Sequence, residues 1–236
     1  MKHQIAVAPF LSVILPLAIV LAGTAFFRFT QADLVIAEQF HGGLVGWPGR
    51  KAEPWLSLYR WGCYPGLVMG LGGLAVAAAS RFWPRLQVWR AEGLFLGLLL
   101  LLGPGLMVNL VLKEFCSRPR PSQVERFGGQ HPFLPIGQLG SSQPCRSFPS
   151  GHASMGFYLM APAFVLYRRR PRWAAAFVGL GLAGGLLIGV GRIVQGQHFA
   201  SDVLWSFGVV YFTALPLAYL YHRRAEPRRA GLECPH

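Results

Sequence analysis

Two histidines and one aspartate hold the densest chemistry in this 236-residue chain. His198 and Asp202 stand four positions apart in GRIVQGQHFASD (191–202), so on a helix they share a face. A carboxylate there can fix one ring nitrogen as a donor and leave the other with its lone pair, which makes a nucleophile with an orienting partner. His152 follows a Ser150-Gly151 pair in CRSFPSGHASMGF (145–157), at the mouth of an apolar segment. Helix-opening N–H groups and the positive dipole end favour an anion, and glycine lets the backbone come close to it. A second imidazole beside that anion can protonate a leaving oxygen. Lys113 and Arg120, in KEFCSRPRPS (113–122), and Arg192 add cations with only Glu114 nearby to neutralise them. Guanidinium forks match phosphate oxygens two at a time. Two histidines and a carboxylate could also ligate a metal, but a lysine and two arginines around them oppose a dication and suit a phosphate. No metal and no cofactor is expected.

These residues must be positioned by elements that the composition describes well. The chain is 53% apolar and 13% charged, where a soluble domain carries about a quarter charged residues. Windows of ~20 apolar residues place six spans near Val7–Phe27, Trp61–Ala79, Gly93–Leu112, His152–Tyr167, Trp173–Gly191 and Asp202–Tyr221. The expected fold is all-α: a polytopic six-transmembrane-helix bundle forming one domain over residues 1–236, with 222–236 a flexible cytoplasmic tail. The fourth span is short and contains Pro162, and the third contains Gly103-Pro104-Gly105; both are tolerable inside a bundle. Gly181, Gly184 and Gly185 would permit close helix approach. The first apolar run is too long for a cleaved signal peptide. Twelve of the 22 lysines and arginines fall in the short segments that an N-in, C-in topology puts inside. The site clusters then share the outer face. The net charge of +13 is mostly topological, and neither a nucleic acid nor an obligate protein partner is implied. The bilayer and a membrane lipid are the expected partners.

The clusters together resemble the type 2 phosphatidic acid phosphatase superfamily. Lys113, six residues, then Arg120-Pro121 fits its first motif; Pro149-Ser150-Gly151-His152 fits the second. Arg192, five residues, His198, three residues, Asp202 fits the third. The resemblance implies a metal-independent phosphatase working through a phosphohistidine. His198 would attack phosphorus, held by Asp202; His152 would protonate the leaving alcohol and then activate water. Lys113, Arg120, Arg192, Ser150 and the Gly151 backbone would hold the phosphoryl oxygens. Gly191 departs from the family, which usually has serine before the third-motif arginine. Arg118-Pro119 near-duplicates Arg120-Pro121 at the wrong spacing from Lys113 and is assigned to the rim. Asn109 could steer Lys113, and Gln195 and Gln197 flank the nucleophile, to contact substrate or cap the loop.

The text FGGQHPFLP (127–135) and CRSFPSGHAS (145–154) looks most like a bacterial subgroup that includes lipid A phosphatases. Lipid A or a similar saccharolipid is therefore the first reading. Undecaprenyl pyrophosphate and phosphatidylglycerophosphate are runners-up, with a lipid phosphotransferase and a non-catalytic lipid-binding or transport protein as further alternatives. The implied location is a bacterial inner membrane, with the site facing the periplasm and both termini cytoplasmic. Cys116 and Cys145 lie in the outer loop joining the first two motifs, where an oxidising periplasm would permit a bridge; Cys63 and Cys234 look unpaired. The stretch RFTQADLVIAEQFHGG (28–43) reads as a short interfacial helix opened by Asp33 and ended by Gly42-Gly43. The Gly- and Pro-rich loop 122–144 should fold over the site.

Overall fold

An apolar chain in a bilayer must satisfy its backbone from within, and helices do so inside one segment. The computed structural model describes residues 2–140 and 145–230, and among them every regular element is helical, apart from one isolated bridge between Val124 and His131. Helix α1 (Lys2–Phe29) leads into the short α2 (Ala32–Glu38), the two meeting at 79°. Then come α3 (Trp55–Trp61) and α4 (Tyr64–Ala79). Helix α5 (Arg90–Leu100) continues as a π-helical stretch over Leu101–Leu112 and ends as α6 (Lys113–Cys116). Pro104 sits in that stretch with no N–H to give, and the wider register accommodates it. Helices α7 (Gly151–Tyr158), α8 (Ala163–Leu166), α9 (Pro171–Val194) and α10 (Ala200–Ala230) complete the order. Residues 222–230 thus continue the last helix, and 231–236 lie outside the described residues.

Among the described residues, four helical stretches are long and apolar enough to cross a bilayer: Trp55–Ala79, Pro84–Gln123, Pro171–Val194 and Ala200–Arg224. Val13–Phe29 with Ala32–Glu38 makes a fifth if the bent pair is one span. The expected fourth span, His152–Tyr167, is divided instead into α7 and α8 by turns over 159–162. Neither piece alone reaches across ~30 Å of hydrocarbon at about 1.5 Å per residue.

Helix α7 is central. All its residues but His152 are buried, and it packs between α9 and α10. Phe95, Leu99, Phe157, Tyr158, Met160 and Val210 form the core around it. The Tyr158 hydroxyl is satisfied by donating to the Leu96 carbonyl at 2.6 Å. Leu15, Ile19, Leu21, Leu180, Leu186 and Leu187 stand exposed on the outside of the bundle, as lipid-facing positions do. A second apolar cluster joins Leu34 and Ala37 of α2, Val124 and Phe127 of the long loop, and Phe199, with Trp47 and Phe133 packed against it. These loops are thereby gathered over the start of α10.

The expected close approach of small residues is present where α9 meets the end of α7. A Cβ on Gly181 would lie 2.5 Å from the Met160 nitrogen, whereas one on Gly179 would meet nothing within 4 Å. Gly181→Ala should therefore destabilise the protein by about 1–3 kcal/mol through overpacking, and Gly179→Ala should not. Thermal unfolding of both variants in detergent checks this; equal midpoints would contradict the packing.

Candidate active site

The mouth of α7 is set by Ser150, whose backbone is extended and whose Oγ accepts from the Ala153 N–H at 3.4 Å. Its own N–H donates to the Asp202 carbonyl at 3.3 Å. The Ser206 hydroxyl lies 2.8 Å from the Ser150 carbonyl and 2.7 Å from that of Asp202. Second and third motifs are thus stitched together through backbone and hydroxyl groups. Lys113 reaches the same mouth from α6. Its Nζ donates to Asn109 Oδ1 at 2.6 Å, and Asn109 Nδ2 donates to the Pro104 carbonyl at 2.7 Å, so the steering expected of Asn109 is present. A Cβ on Gly151 would stand 2.9 Å from both Lys113 Nζ and Asn109 Oδ1. Only glycine lets the ammonium lie so close to the helix start. Glu114 pairs outward with Arg146.

Glutamines, not carboxylates, hold the two motif arginines. Arg120 Nη1 donates to Gln197 Oε1 at 2.5 Å, and Arg192 Nη2 approaches the same oxygen at 3.5 Å. Arg192 Nη1 donates to Gln195 Oε1 at 2.5 Å, and Gln195 is anchored on the Trp55 carbonyl at 3.1 Å. Neutral acceptors orient a guanidinium without cancelling its charge. Arg192 Nε is buried with no hydrogen-bond partner. The Tyr59 ring lies 4.7 Å from the Arg192 guanidinium and stacks on His152 at 4.9 Å with 28° between planes. Arg192, His198, Lys113 and Arg120 all lie within electrostatic reach of His152. A Cβ on Gly191 would lie 3.2 Å from Trp55 Cε3, so a side chain at this position would press on the indole.

His198 is oriented differently from expectation. Its Nδ1 is 2.6 Å from the Ser147 carbonyl, while Asp202 Oδ2 is 3.6 Å away, beyond hydrogen-bond range. A carbonyl can only accept, so Nδ1 carries the hydrogen and Nε2 keeps the lone pair. Asp202 Oδ2 accepts instead from Ser147 Oγ at 2.6 Å and the Phe199 N–H at 2.8 Å. Asp202 therefore acts on the ring by its charge and by fixing Ser147, not by a direct bond. Burial pulls the His198 ring down to about 4, against the opposing pull of Asp202.

Arg118 overturns its assignment to the rim. It is 2% exposed, with Nη1 donating to Asp202 Oδ1 at 2.6 Å and to Ser201 Oγ at 2.7 Å. Its Nη2 donates to Asp33 Oδ2 at 2.8 Å and its Nε to the Leu134 carbonyl at 2.9 Å. Asp33, expected to open the interfacial helix, is buried and does not cap α2. Cys116 and Cys145 are both free thiols, so the expected bridge is absent, and Cys63 is free as well; Cys234 lies outside the described residues. Sequence reading also passed over Ser147 and Tyr59. A mid-loop serine next to an arginine, and one tyrosine among several, carry no local signal.

Residues 93–226 match the PAP2 superfamily. Lipid A 4'-phosphatase from Francisella tularensis subsp. novicida is 39% identical over 140 residues, 58% of this chain and 62% of that protein. Lipid A 4'-phosphatase from Rhizobium leguminosarum is 39% identical over 120 residues, 49% of this chain and 50% of that one. The matched region thus spans from half to about three-fifths of these relatives. The crystal structure of a transmembrane PAP2-type phosphatidylglycerolphosphate phosphatase from Bacillus subtilis shares the fold, with a TM-score of 0.51 at 24% identity over 90% of this chain and 96% of that one. With the matched region covering more than half of its length, the chain belongs to the PAP2 superfamily.

Proposed function

We propose that this protein is a membrane phosphatase that removes a phosphate group from a lipid through a phosphohistidine. One observation carries the reading. The imidazole of His198 has its Nδ1 committed to a backbone carbonyl, beside a lysine and two arginines whose polar partners are amides. In the first step Nε2 of His198 gives its lone pair to phosphorus and the bond to the leaving oxygen breaks. His152 supplies the proton that this oxygen takes up. In the second step His152 draws a proton from water, the water oxygen bonds to phosphorus, and the P–N bond breaks to free orthophosphate and His198. Lys113, Arg120 and Arg192, with Ser150 and the Gly151 N–H, hold the phosphoryl oxygens, where charge and positioning dominate this chemistry.

Lipid A or a similar saccharolipid is the substrate we favour, since the two relatives above carry that name. A cavity of about 230 Å³ lined by Thr24, Leu112, Ile136, Leu139, Phe148 and Trp205, with Arg118 in its wall, supports a lipid substrate by offering apolar room for an acyl chain. Phosphatidylglycerophosphate is the second reading, favoured by a phosphatidylglycerophosphatase B from Bacillus subtilis at 32% identity over 150 residues. We further propose six crossings of a bacterial inner membrane, with α7 and α8 together forming a broken span, a periplasmic site and both termini cytoplasmic. Seventeen residues from Gly151 to Tyr167 reach about 25 Å at helical rise, and the cation distribution supports this orientation.

The reading is tested by phosphate release from a panel of purified lipid phosphates, followed by mass spectrometry. His198→Ala should lose turnover at least a thousandfold, on the order of removing a nucleophile elsewhere, and a chelator should leave the wild-type rate unchanged. Turnover by His198→Ala at the wild-type rate would sink the mechanism. Acid sensitivity gives a second check. Because burial keeps the His198 ring neutral down to about pH 4, lowering the pH from 7 to 5 leaves the nucleophile available. The bell-shaped profile of kcat/KM expected from paired histidines should therefore have its acidic limb below pH 5, after allowance for the second ionisation of phosphate near pH ~6. A limb centred at the ordinary imidazole value would contradict a buried, neutral His198.

A further inference from the structure

The chain has only two aspartates, Asp33 and Asp202, and both meet Arg118 away from solvent. The first lies outside all three motifs, in α2, and makes no contact with the cations proposed to hold phosphate. Its Oδ1 accepts from the Ser201 N–H at 3.0 Å, and its Oδ2 from Ser201 Oγ at 2.5 Å and Arg118 Nη2 at 2.8 Å. Ser201 Oγ in turn accepts from Arg118 Nη1 at 2.7 Å. Carboxylate, hydroxyl and guanidinium close a ring, and the same guanidinium reaches Asp202 at 2.6 Å.

We infer that Asp33 is a positioning residue for the reaction, acting through Arg118 and Ser201 on Asp202 and thereby on His198. Two effects combine. Asp33 satisfies an otherwise orphan N–H in the first turn of α10, the turn that carries Asp202. It also sets the charge. Arg118 alone beside Asp202 would leave a neutral pair next to the imidazole; with Asp33 held ionised by its 2.8 Å ion pair with Arg118, the three groups sum to one negative charge. That charge faces a ring which becomes cationic when Nε2 bonds to phosphorus, with Nδ1 still bearing its hydrogen 3.6 Å from Asp202 Oδ2. The inference rests on His198 as the nucleophile. It places the contribution of Asp33 in the chemical step, since substrate binding falls to Lys113, Arg120 and Arg192.

The test uses the full-length protein in detergent with bisphosphorylated lipid A as the probe. Wild type, Asp33→Asn, Ser201→Ala, Arg118→Met and His198→Ala are compared in single turnovers with enzyme in excess, where the rate constant does not depend on the folded fraction. Asp33→Asn should slow the chemical step about 10–100-fold, the size typical of an outer partner of a functional histidine, with apparent KM unchanged within about twofold. Ser201→Ala, which removes only a hydroxyl, should slow it severalfold and keeps the test open if Asp33→Asn does not fold. Adding Asp33→Asn to Arg118→Met should cost clearly less than the product of the two single losses, because the part of the Asp33 effect that runs through the guanidinium is already gone while the Ser201 contact remains. Wild-type rates in both Asp33→Asn and Ser201→Ala, beside an inactive His198→Ala, would overturn this inference and leave the nucleophile standing. So would a loss confined to KM, or losses that multiply in the double variant. An active His198→Ala would remove the nucleophile and this inference with it.

Discussion

A guanidinium shut away from water between two carboxylates is the interaction on which the rest of the structure depends. Arg118, Asp33 and Asp202 are 2%, 1% and 0% exposed. Each charge alone would be costly there; together, with the Ser201 hydroxyl and the Leu134 carbonyl as further partners, they are satisfied. The Phe199 ring covers the guanidinium at 4.6 Å. The cluster fastens three parts of the chain that are distant in sequence: α2, the segment after α6, and the first turn of α10. Removing one member of such a cluster typically costs about 3–5 kcal/mol, because the survivors keep their charge without a partner. Among the described residues no sheet holds the loops that carry the motifs. This buried ion cluster and the Leu34–Phe127–Phe199 apolar contact do that work.

The side proposed to hold phosphate follows the opposite rule. Arg120 and Arg192 share one amide oxygen of Gln197, Arg192 has a second amide in Gln195, and Lys113 rests on Asn109. An amide oxygen fixes direction but carries no net charge, so the positive potential stays uncancelled. The nearest acid in sequence, Glu114, is drawn outward by Arg146. Mutual repulsion of the cations is unfavourable without an anion, and the fold offsets it elsewhere, in the core around α7 and in the Arg118 cluster. Charge is balanced where it must hold the fold and left unbalanced where it can stabilise a phosphoryl group.

What could be read in the sequence divides along the same line. The three motifs were legible because their spacing is local and fixed, and most helices were legible because hydropathy reports apolar length directly. Hydropathy is blind to hydrogen-bond geometry, however, so 152–167 read as one span although the chain turns at 159–162. Arg118 and Arg120 are alike in type and two residues apart; only the distant partners of each, 84 and 77 positions away, tell them apart. The contact of Asp33 with Ser201 spans 168 positions and leaves no periodic trace. The pairing of His198 with Asp202 assumed a helix through both, but α10 begins at Ala200. His198 therefore precedes the helix, and its ring turns to the Ser147 carbonyl.

That turn bears on how, in the proposed mechanism, two histidines would serve one phosphorus atom. In-line displacement needs the attacking and leaving groups on opposite sides of phosphorus, with little tolerance in distance. His152 and His198 sit on different elements, and long loops could not hold them to such a tolerance. Short polar contacts do so instead: Ser147 touches both His198 and Asp202, Ser150 is bonded to the Asp202 carbonyl, and the Ser206 hydroxyl is within reach of both the Ser150 and Asp202 carbonyls. Each of these bonds has backbone or a serine hydroxyl on at least one end, with few torsions to relax. Lys113 and Arg120, by contrast, reach the site on long side chains that, in the proposed mechanism, would follow a phosphoryl group as it passes from ester to imidazole to water. Rigid placement of the groups proposed to transfer protons and electron pairs, with adjustable placement of the charges, is what the proposed two-step transfer at one phosphorus would require.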